Sequence, residues 1–173
     1  MSKAQRIREF LSIKRTLVMP GVYDALSAKI ASRAGFEVIF ITGYSLSATL
    51  LGEPDFGLLT QTEMLSATQR ICSVVETPII VDADTGYGNA LNVIRTVKEL
   101  IRAGAAGMFL EDQVWPKRCG HMKGKQVIPL EEQLKKLQAA ISARVGSDLY
   151  IVARTDARQA LGLKEAIARG IAF

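Results

Sequence analysis

The sequence predicts an α/β fold of repeated βα units around a parallel sheet, and three observations predict it. Short unbroken apolar runs, such as Val38-Ile39-Phe40-Ile41 and Ile79-Ile80-Val81, alternate with amphipathic stretches of helical length. That pattern marks strands buried on both faces. The phrases Ser32-Arg33-Ala34-Gly35-Phe36-Glu37-Val38-Ile39 and Ile101-Arg102-Ala103-Gly104-Ala105-Ala106-Gly107-Met108 both run from helix end through a glycine cap to a strand start. Polar residues gather just after the strands, where parallel barrels build their sites. The predicted class is a (β/α)8 TIM-type barrel. A whole barrel needs eight strands and about 250 residues, so residues 1–173 are expected to form a single partial barrel domain, a truncated chain with about the first five βα units.

The elements follow in order. Ser2 to Lys14 reads as a helix, and Thr16 to Met19 as a strand stopped by Pro20-Gly21. Asp24 can cap a helix that runs to Ala34 and ends at Gly35. Glu37 to Thr42 is a second strand. Gln61 to Val75 is helical, with Pro78 beyond it. Ile79 to Val81 is a third strand, running into Asp82-Ala83-Asp84-Thr85-Gly86-Tyr87-Gly88. Asn92 to Arg102 is a helix, and Gly107 to Leu110 a strand ending in Glu111-Asp112. Leu130 to Arg144 is a helix, Tyr150 to Ala153 a fifth strand ending in Arg154-Thr155-Asp156, and a last helix starts near Leu163. The stretch Arg169 to Phe173 reads as a helix end leading into a sixth strand.

Composition narrows the function classes. The hydrophobic fraction is 49% and the charged fraction 23%, as in globular proteins. No apolar run approaches the ~18 residues of a membrane span, and Met1 to Arg8 lacks the apolar core of a secretory signal. The net charge is +5, concentrated at Lys3 to Arg15 and Lys117 to Lys125. With aromatics at 6%, a nucleic-acid surface is not indicated; a local attraction for an anionic small molecule suffices. The two cysteines, Cys72 and Cys119, imply no disulfide framework, so a reducing, cytoplasmic setting is expected.

Two constellations carry chemistry. Asp82, Asp84 and Glu111, with Asp112 beside it, sit at strand ends. Carboxylates gathered there repel unless a cation neutralises them, and hard oxygen donors favour Mg²⁺ or Mn²⁺ over zinc. The bland alternative is helix capping. The second constellation is Lys117-Arg118-Cys119-Gly120-His121, a thiol between two cations and the sole histidine. Cations favour the thiolate, and the polar, glycine-bearing surroundings argue against core burial of Cys119. A zinc site lacks a second ligand pair. Cys72 lies in a helical pattern and reads as core. Gly86-Tyr87-Gly88 is only a weak phosphate-cradle signal. Arg154 suits either a substrate carboxylate or an ion pair with a site acid. Asp55 is a turn residue or a supporting acid. The backbone N–H groups and hydroxyls of Thr42-Gly43-Tyr44-Ser45 suit a carboxylate.

Together, Gly52-Glu53-Pro54-Asp55-Phe56-Gly57, Val81-Asp82-Ala83-Asp84-Thr85-Gly86-Tyr87-Gly88, Leu110-Glu111-Asp112-Gln113, Lys117-Arg118-Cys119-Gly120-His121 and Ala153-Arg154-Thr155-Asp156-Ala157 resemble the isocitrate lyase and phosphoenolpyruvate mutase superfamily. The cysteine loop resembles its methylisocitrate lyase-like members, and Thr42-Gly43-Tyr44 its carboxyphosphonoenolpyruvate phosphonomutase-like branch. The resemblance implies a Mg²⁺-dependent lyase that cleaves a C–C bond of a 2-hydroxy di- or tricarboxylic acid. Asp82, Asp84 and Glu111 would hold the metal, partly through water, with Asp55 nearby. Thr42, Gly43, Tyr44, Gly120 and Arg154 would hold substrate. Cys119 would be the general acid, on a mobile lid with Lys117, Arg118 and His121. The resemblance also implies a homo-tetrameric full-length form. Phosphonopyruvate or oxaloacetate chemistry is the alternative activity, and an inactive barrel fragment is the alternative to activity.

Overall fold

Five parallel strands lie side by side in chain order: β1 (Gly21–Val22), β2 (Ile39–Ile41), β3 (Ile79–Asp82), β4 (Gly107–Glu111) and β5 (Tyr150–Arg154). The structure is a computed structural model, and it describes residues 1–14 and 16–173. Arg15, the last cation of the N-terminal basic run, lies outside the described residues. Each strand passes to the next through helix, as parallel pairing requires. The helices are α1 (Lys3–Lys14), α2 (Ala25–Arg33), α3 (Gly43–Leu50), α4 (Gln61–Cys72), α5 (Ala90–Arg102), α6 (Leu130–Ala143), α7 (Ala157–Leu161) and α8 (Leu163–Ala172). None of them is long and apolar enough to cross a membrane.

The helix starts follow capping chemistry. The side chains of Asp24, Thr60 and Asn89 each accept a backbone N–H of the first turn of α2, α4 and α5, and their own backbone N–H groups donate in return to the side chain of the third helical residue. Such caps satisfy donors that the helix cannot.

Strand alternation divides the core in two. Ile39, Ile41, Ile79, Val81, Met108 and Leu110 face the helices and join Met64, Val93, Val97, Leu100 and Leu137 in one cluster. Ile80, with Phe40, Phe109 and Tyr150 beside it, faces the other way and meets Ile7 and Phe10 of α1. Phe40 and Phe109 touch edge to face at 5.0 Å. With a side-chain period of two, Asp82 shares the face of Ile80, and Glu111 that of Phe109. This inner face carries the site.

Four sequence expectations need correction or extension. The first strand is not Thr16 to Met19 but Gly21–Val22. It pairs with Phe40 and Ile41, and the Pro20 carbonyl accepts the Phe40 N–H at 3.0 Å. Proline lacks a donor, so it stands at the strand start of this edge. Helix α3 was not foreseen: its glycine, two serines and threonine are poor helix formers, and buried Leu46 and Ser47 anchor it instead. The five-residue α7 was not foreseen either. The stretch expected to lead into a sixth strand stays helical, α8 running to Ala172. Buried Arg169 holds it: its Nη1 donates to Asp112 Oδ2 at 3.0 Å and to the Ile128 carbonyl at 2.9 Å.

Leu100→Ala, at a position 1% exposed, is expected to cost about 2–5 kcal/mol in urea unfolding. Leu91→Ala on the exposed face of the same helix, at 74% exposure, is expected to change stability by less than about 0.5 kcal/mol.

Candidate active site

The strand ends set the first acids. Register puts Glu111 opposite Arg154 across β4 and β5, and their side chains pair at 3.3 Å. Asp82 ends β3 on the same face. Its Oδ2 accepts the Gly43 N–H at the start of α3, at 3.4 Å, and its Oδ1 accepts the Asp84 N–H at 3.3 Å. The Gly43 N–H, read from the sequence as a donor to a substrate carboxylate, here serves one of the protein's own. A Cβ at Gly43 would stand 3.2 Å from Asp82 Oδ2. Thr42 caps α3 without a side-chain bond, and Tyr44 is exposed.

Beyond β3 the chain turns sharply. Asp84 and Tyr87 both have positive φ, 47° and 61°, and Tyr87 stands between Gly86 and Gly88, whose φ is positive too. Non-glycine residues there carry strain and cluster at functional sites. The turn aims the Asp84 carboxylate inward, where it is 3% exposed. Buried Lys136 of α6 props the turn by donating to the Thr85 carbonyl at 3.1 Å.

Lys117 joins these acids to the loop before α4. It is buried, and its Nζ lies 2.6 Å from Asp55 and 2.7 Å from Asp84. The Asp55 carbonyl accepts the Cys119 N–H at 3.1 Å. The loop holding Asp55 is itself pinned, since buried Ser47 donates to the Glu53 and Pro54 carbonyls. One ammonium therefore fastens the acid-rich turn, the Asp55 loop and the cysteine loop together.

The electrostatics follow from burial. Desolvation, then the charge of Asp82, raises the Asp84 carboxyl to about 7 against the pull of Lys117. Desolvation also raises Glu111 to about 8, opposed by Arg154. Burial disfavours the Lys117 charge, but Asp84 and Asp82 outweigh it and hold the ammonium above the usual lysine range. Burial and Asp84 push the Tyr87 phenol well up, and its buried hydroxyl has no hydrogen-bond partner among the described residues. Asp55, Asp82, Asp84 and Glu111 face two cations, Lys117 and Arg154, a formal excess of two negative charges.

That excess and the hard oxygen donors fit a divalent cation. Among the described residues no group of three His, Cys, Asp or Glu side chains is arranged to hold a metal ion. Lys117 stands between Asp55 and Asp84 instead.

The other expectations divide. Cys119 is buried, at 6% exposure, where its polar, glycine-bearing surroundings argued against burial in the core. It joins neither apolar cluster of the described residues. Gly120 lies against Arg154: a Cβ there would meet Nη2 at 3.1 Å. Arg154 pairs with Glu111 and, at 3.1 Å, with Asp156. Asp112 is turned away from the other acids. It is fully buried and accepts from Thr155, from the Asp156 N–H and from Arg169. Arg118 and His121 are exposed. The Arg118 guanidinium donates to the Lys123 carbonyl at 3.2 Å, so neither side chain joins the acid cluster. Sequence reasoning missed Gln113, Lys125 and Asp156 as site residues. Asp156 alone carried a signal, as an acid just beyond a strand.

Residues 7–173 match the sequence profile of the family described as phosphoenolpyruvate phosphomutase. The chain is similar to the 2,3-dimethylmalate lyase of Eubacterium barkeri, at 50% identity over 173 residues, covering 100% of this chain and 60% of that enzyme. A crystal structure of 2,3-dimethylmalate lyase, described as a PEP mutase/isocitrate lyase superfamily member, aligns with TM-score 0.92 and 39% identity over 98% of this chain and 57% of that one. A structure of phosphonopyruvate hydrolase in complex with oxalate and Mg²⁺ aligns with TM-score 0.89 and 36% identity, over 99% and 59% of the two chains. The chain thus spans somewhat over half the length of these relatives.

Lys117→Met leaves the carboxylates of Asp55 and Asp84 buried without their cation, so urea unfolding is expected to show a loss of about 3–5 kcal/mol. Arg118→Met, at an exposed guanidinium, is expected to shift stability by less than about 0.5 kcal/mol in the same assay.

Proposed function

The chain belongs to the phosphoenolpyruvate phosphomutase family, and from that premise we propose that its strand-end site is that of a Mg²⁺-dependent carbon–carbon lyase. The substrate class is a 2-hydroxy di- or tricarboxylic acid of the 2-alkylmalate or methylisocitrate type, split to an α-keto acid and a carboxylate. The observation that carries this reading is the placement of Cys119. Its backbone hangs from Asp55, which shares Lys117 with Asp84, so the thiol lies on a loop fastened directly to the acid cluster. The 50% identity to a dimethylmalate lyase supports the same reading.

The reaction assigns roles to the residues. Asp82, Asp84 and Glu111 would hold the Mg²⁺ partly through water, since no three of these side chains converge on one point; when bound, it would supply Lewis-acid stabilisation of developing oxygen charge. The substrate hydroxyl loses its proton to a base as the adjacent C–C bond breaks. The bond's electron pair stays on the departing carboxylate fragment as a carbanion. Cys119 gives its Sγ proton to that carbon, completing the second product. Lys117 and Arg154 hold positive charge beside the reacting carboxylates in a water-poor site, where fixed charge acts strongly. The closed loop over Cys119 keeps bulk water from protonating the carbanion first.

A second reading, P–C bond chemistry on a phosphonopyruvate-like acid, is favoured by the family's description and by the similarity to phosphonopyruvate hydrolase. The same acids would serve it, but P–C rearrangement, the mutase form of that chemistry, has no use for a thiol proton donor at Cys119.

The lyase reading is tested with the protein carrying the remaining barrel. Release of keto acid from 2,3-dimethylmalate is expected, lost on chelation and restored by Mg²⁺. Cys119→Ser is expected to lower kcat by about 10²–10⁴. Wild-type turnover in that variant removes the acid role, and a phosphorus NMR signal of P–C cleavage from phosphonopyruvate, without keto-acid release from the malate, favours the second reading.

A further inference from the structure

Gln113 is used by no step above, yet it is 2% exposed at the mouth of the site. Its Oε1 accepts the Arg118 N–H at 3.0 Å, and its Nε2 donates to the Arg118 carbonyl at 2.9 Å. The same Nε2 donates to Glu111 Oε1 at 2.9 Å and stands 3.3 Å from Asp156 Oδ2. One carboxamide therefore grips both backbone groups of the residue before Cys119 while bonded to a site acid. Across the loop, Lys125 Nζ donates to the Gly120 carbonyl at 2.7 Å and to Asp156 at 3.0 Å. Cys119 lies between these two grips.

We propose that Gln113 is a positioning residue, a latch that holds the Arg118-Cys119 backbone closed over the acid cluster, with Lys125 and Asp156 as its counterpart on the other side. Only an amide fits the place. A carboxylate cannot donate to Glu111 or to the Arg118 carbonyl, and it would add like charge beside Glu111. An apolar side chain would leave two partly buried backbone groups without these bonds, which proteins avoid. The latch itself rests on these contacts; its consequence for turnover rests on the lyase reading.

Peptide-resolved alkylation of the folded protein with iodoacetamide at pH 8 tests it. Burial pushes the Cys72 thiol up to about 11, so Cys72 serves as an internal control for global opening. Gln113→Met keeps the volume and removes the bonds, and Gln113→Ala removes both. Each is expected to speed labelling of Cys119 by about tenfold or more, with Cys72 unchanged. No acceleration at Cys119, or equal acceleration of both thiols, overturns the latch. Hydrogen exchange of the wild type tests it independently of any variant's folding. The Arg118 amide is expected to exchange about tenfold or more slowly than those of His121 and Lys123, and equal rates overturn the proposal. In the longer protein, Gln113→Met is expected to lower 2,3-dimethylmalate kcat by about tenfold or more with KM little changed, since a misplaced catalytic group costs rate. A KM rise at unchanged kcat refutes the positioning role. Absence of wild-type turnover sinks the lyase reading, while the labelling and exchange rates still decide the latch.

Discussion

A buried ammonium holds the acid-rich end of this molecule together. Lys117 is 4% exposed, and a charge so far from water persists only with partners in good geometry. It finds them in Asp55 and Asp84, from the loop before α4 and the turn after β3. Without that cation, carboxylates from neighbouring strand ends would repel in a poorly screened interior. With it, the Asp55 loop and the cysteine loop are drawn down onto the sheet.

The rest of the site follows from strand geometry. Alternation sends Ile80 and Asp82, and likewise Phe109 and Glu111, to one face, so apolar residues fill its base and acids line its end. Register then faces Glu111 with Arg154, and the pair forms without any long-range arrangement of loops. Asp112, one residue on from Glu111, faces the other way for the same reason and becomes a structural anchor for Arg169.

That geometry explains what was legible in the sequence. The β2, β3 and β4 segments stood out because they are largely buried on both faces and read as unbroken apolar runs, and the half-buried β5 reads as such a run too. Helix α2 declared itself through its Asp24 cap, and α4 and α5 through their amphipathic pattern. Asp82, Asp84 and Glu111 were visible because acids directly after apolar runs have few local uses. The misses have a common cause. The first strand, α3 and the burial of Cys119 depend on what packs against them from elsewhere in the chain: the Phe40 N–H reaching the Pro20 carbonyl, the anchoring of Leu46, and the folding of Lys117 onto Asp84. Gln113 and Lys125 were invisible for the same reason. A glutamine or lysine in a loop has no periodicity to read, and its role appears only once its partners are in place.

The Lys117–Asp55 contact spans 62 residues, and this has a consequence for how the chain acquires its shape. Sheet neighbours here are also chain neighbours, so each strand can dock on its predecessor as a modest loop-closure step. The ammonium contact skips across the β3–β4 pair to a loop that precedes both. It brings no reward until that stretch of sheet is in place, and loop-closing entropy grows with the span it must cross. The acidic end is therefore conditional on the sheet beneath it: the ammonium meets both its partners only where β3 and β4 already lie side by side.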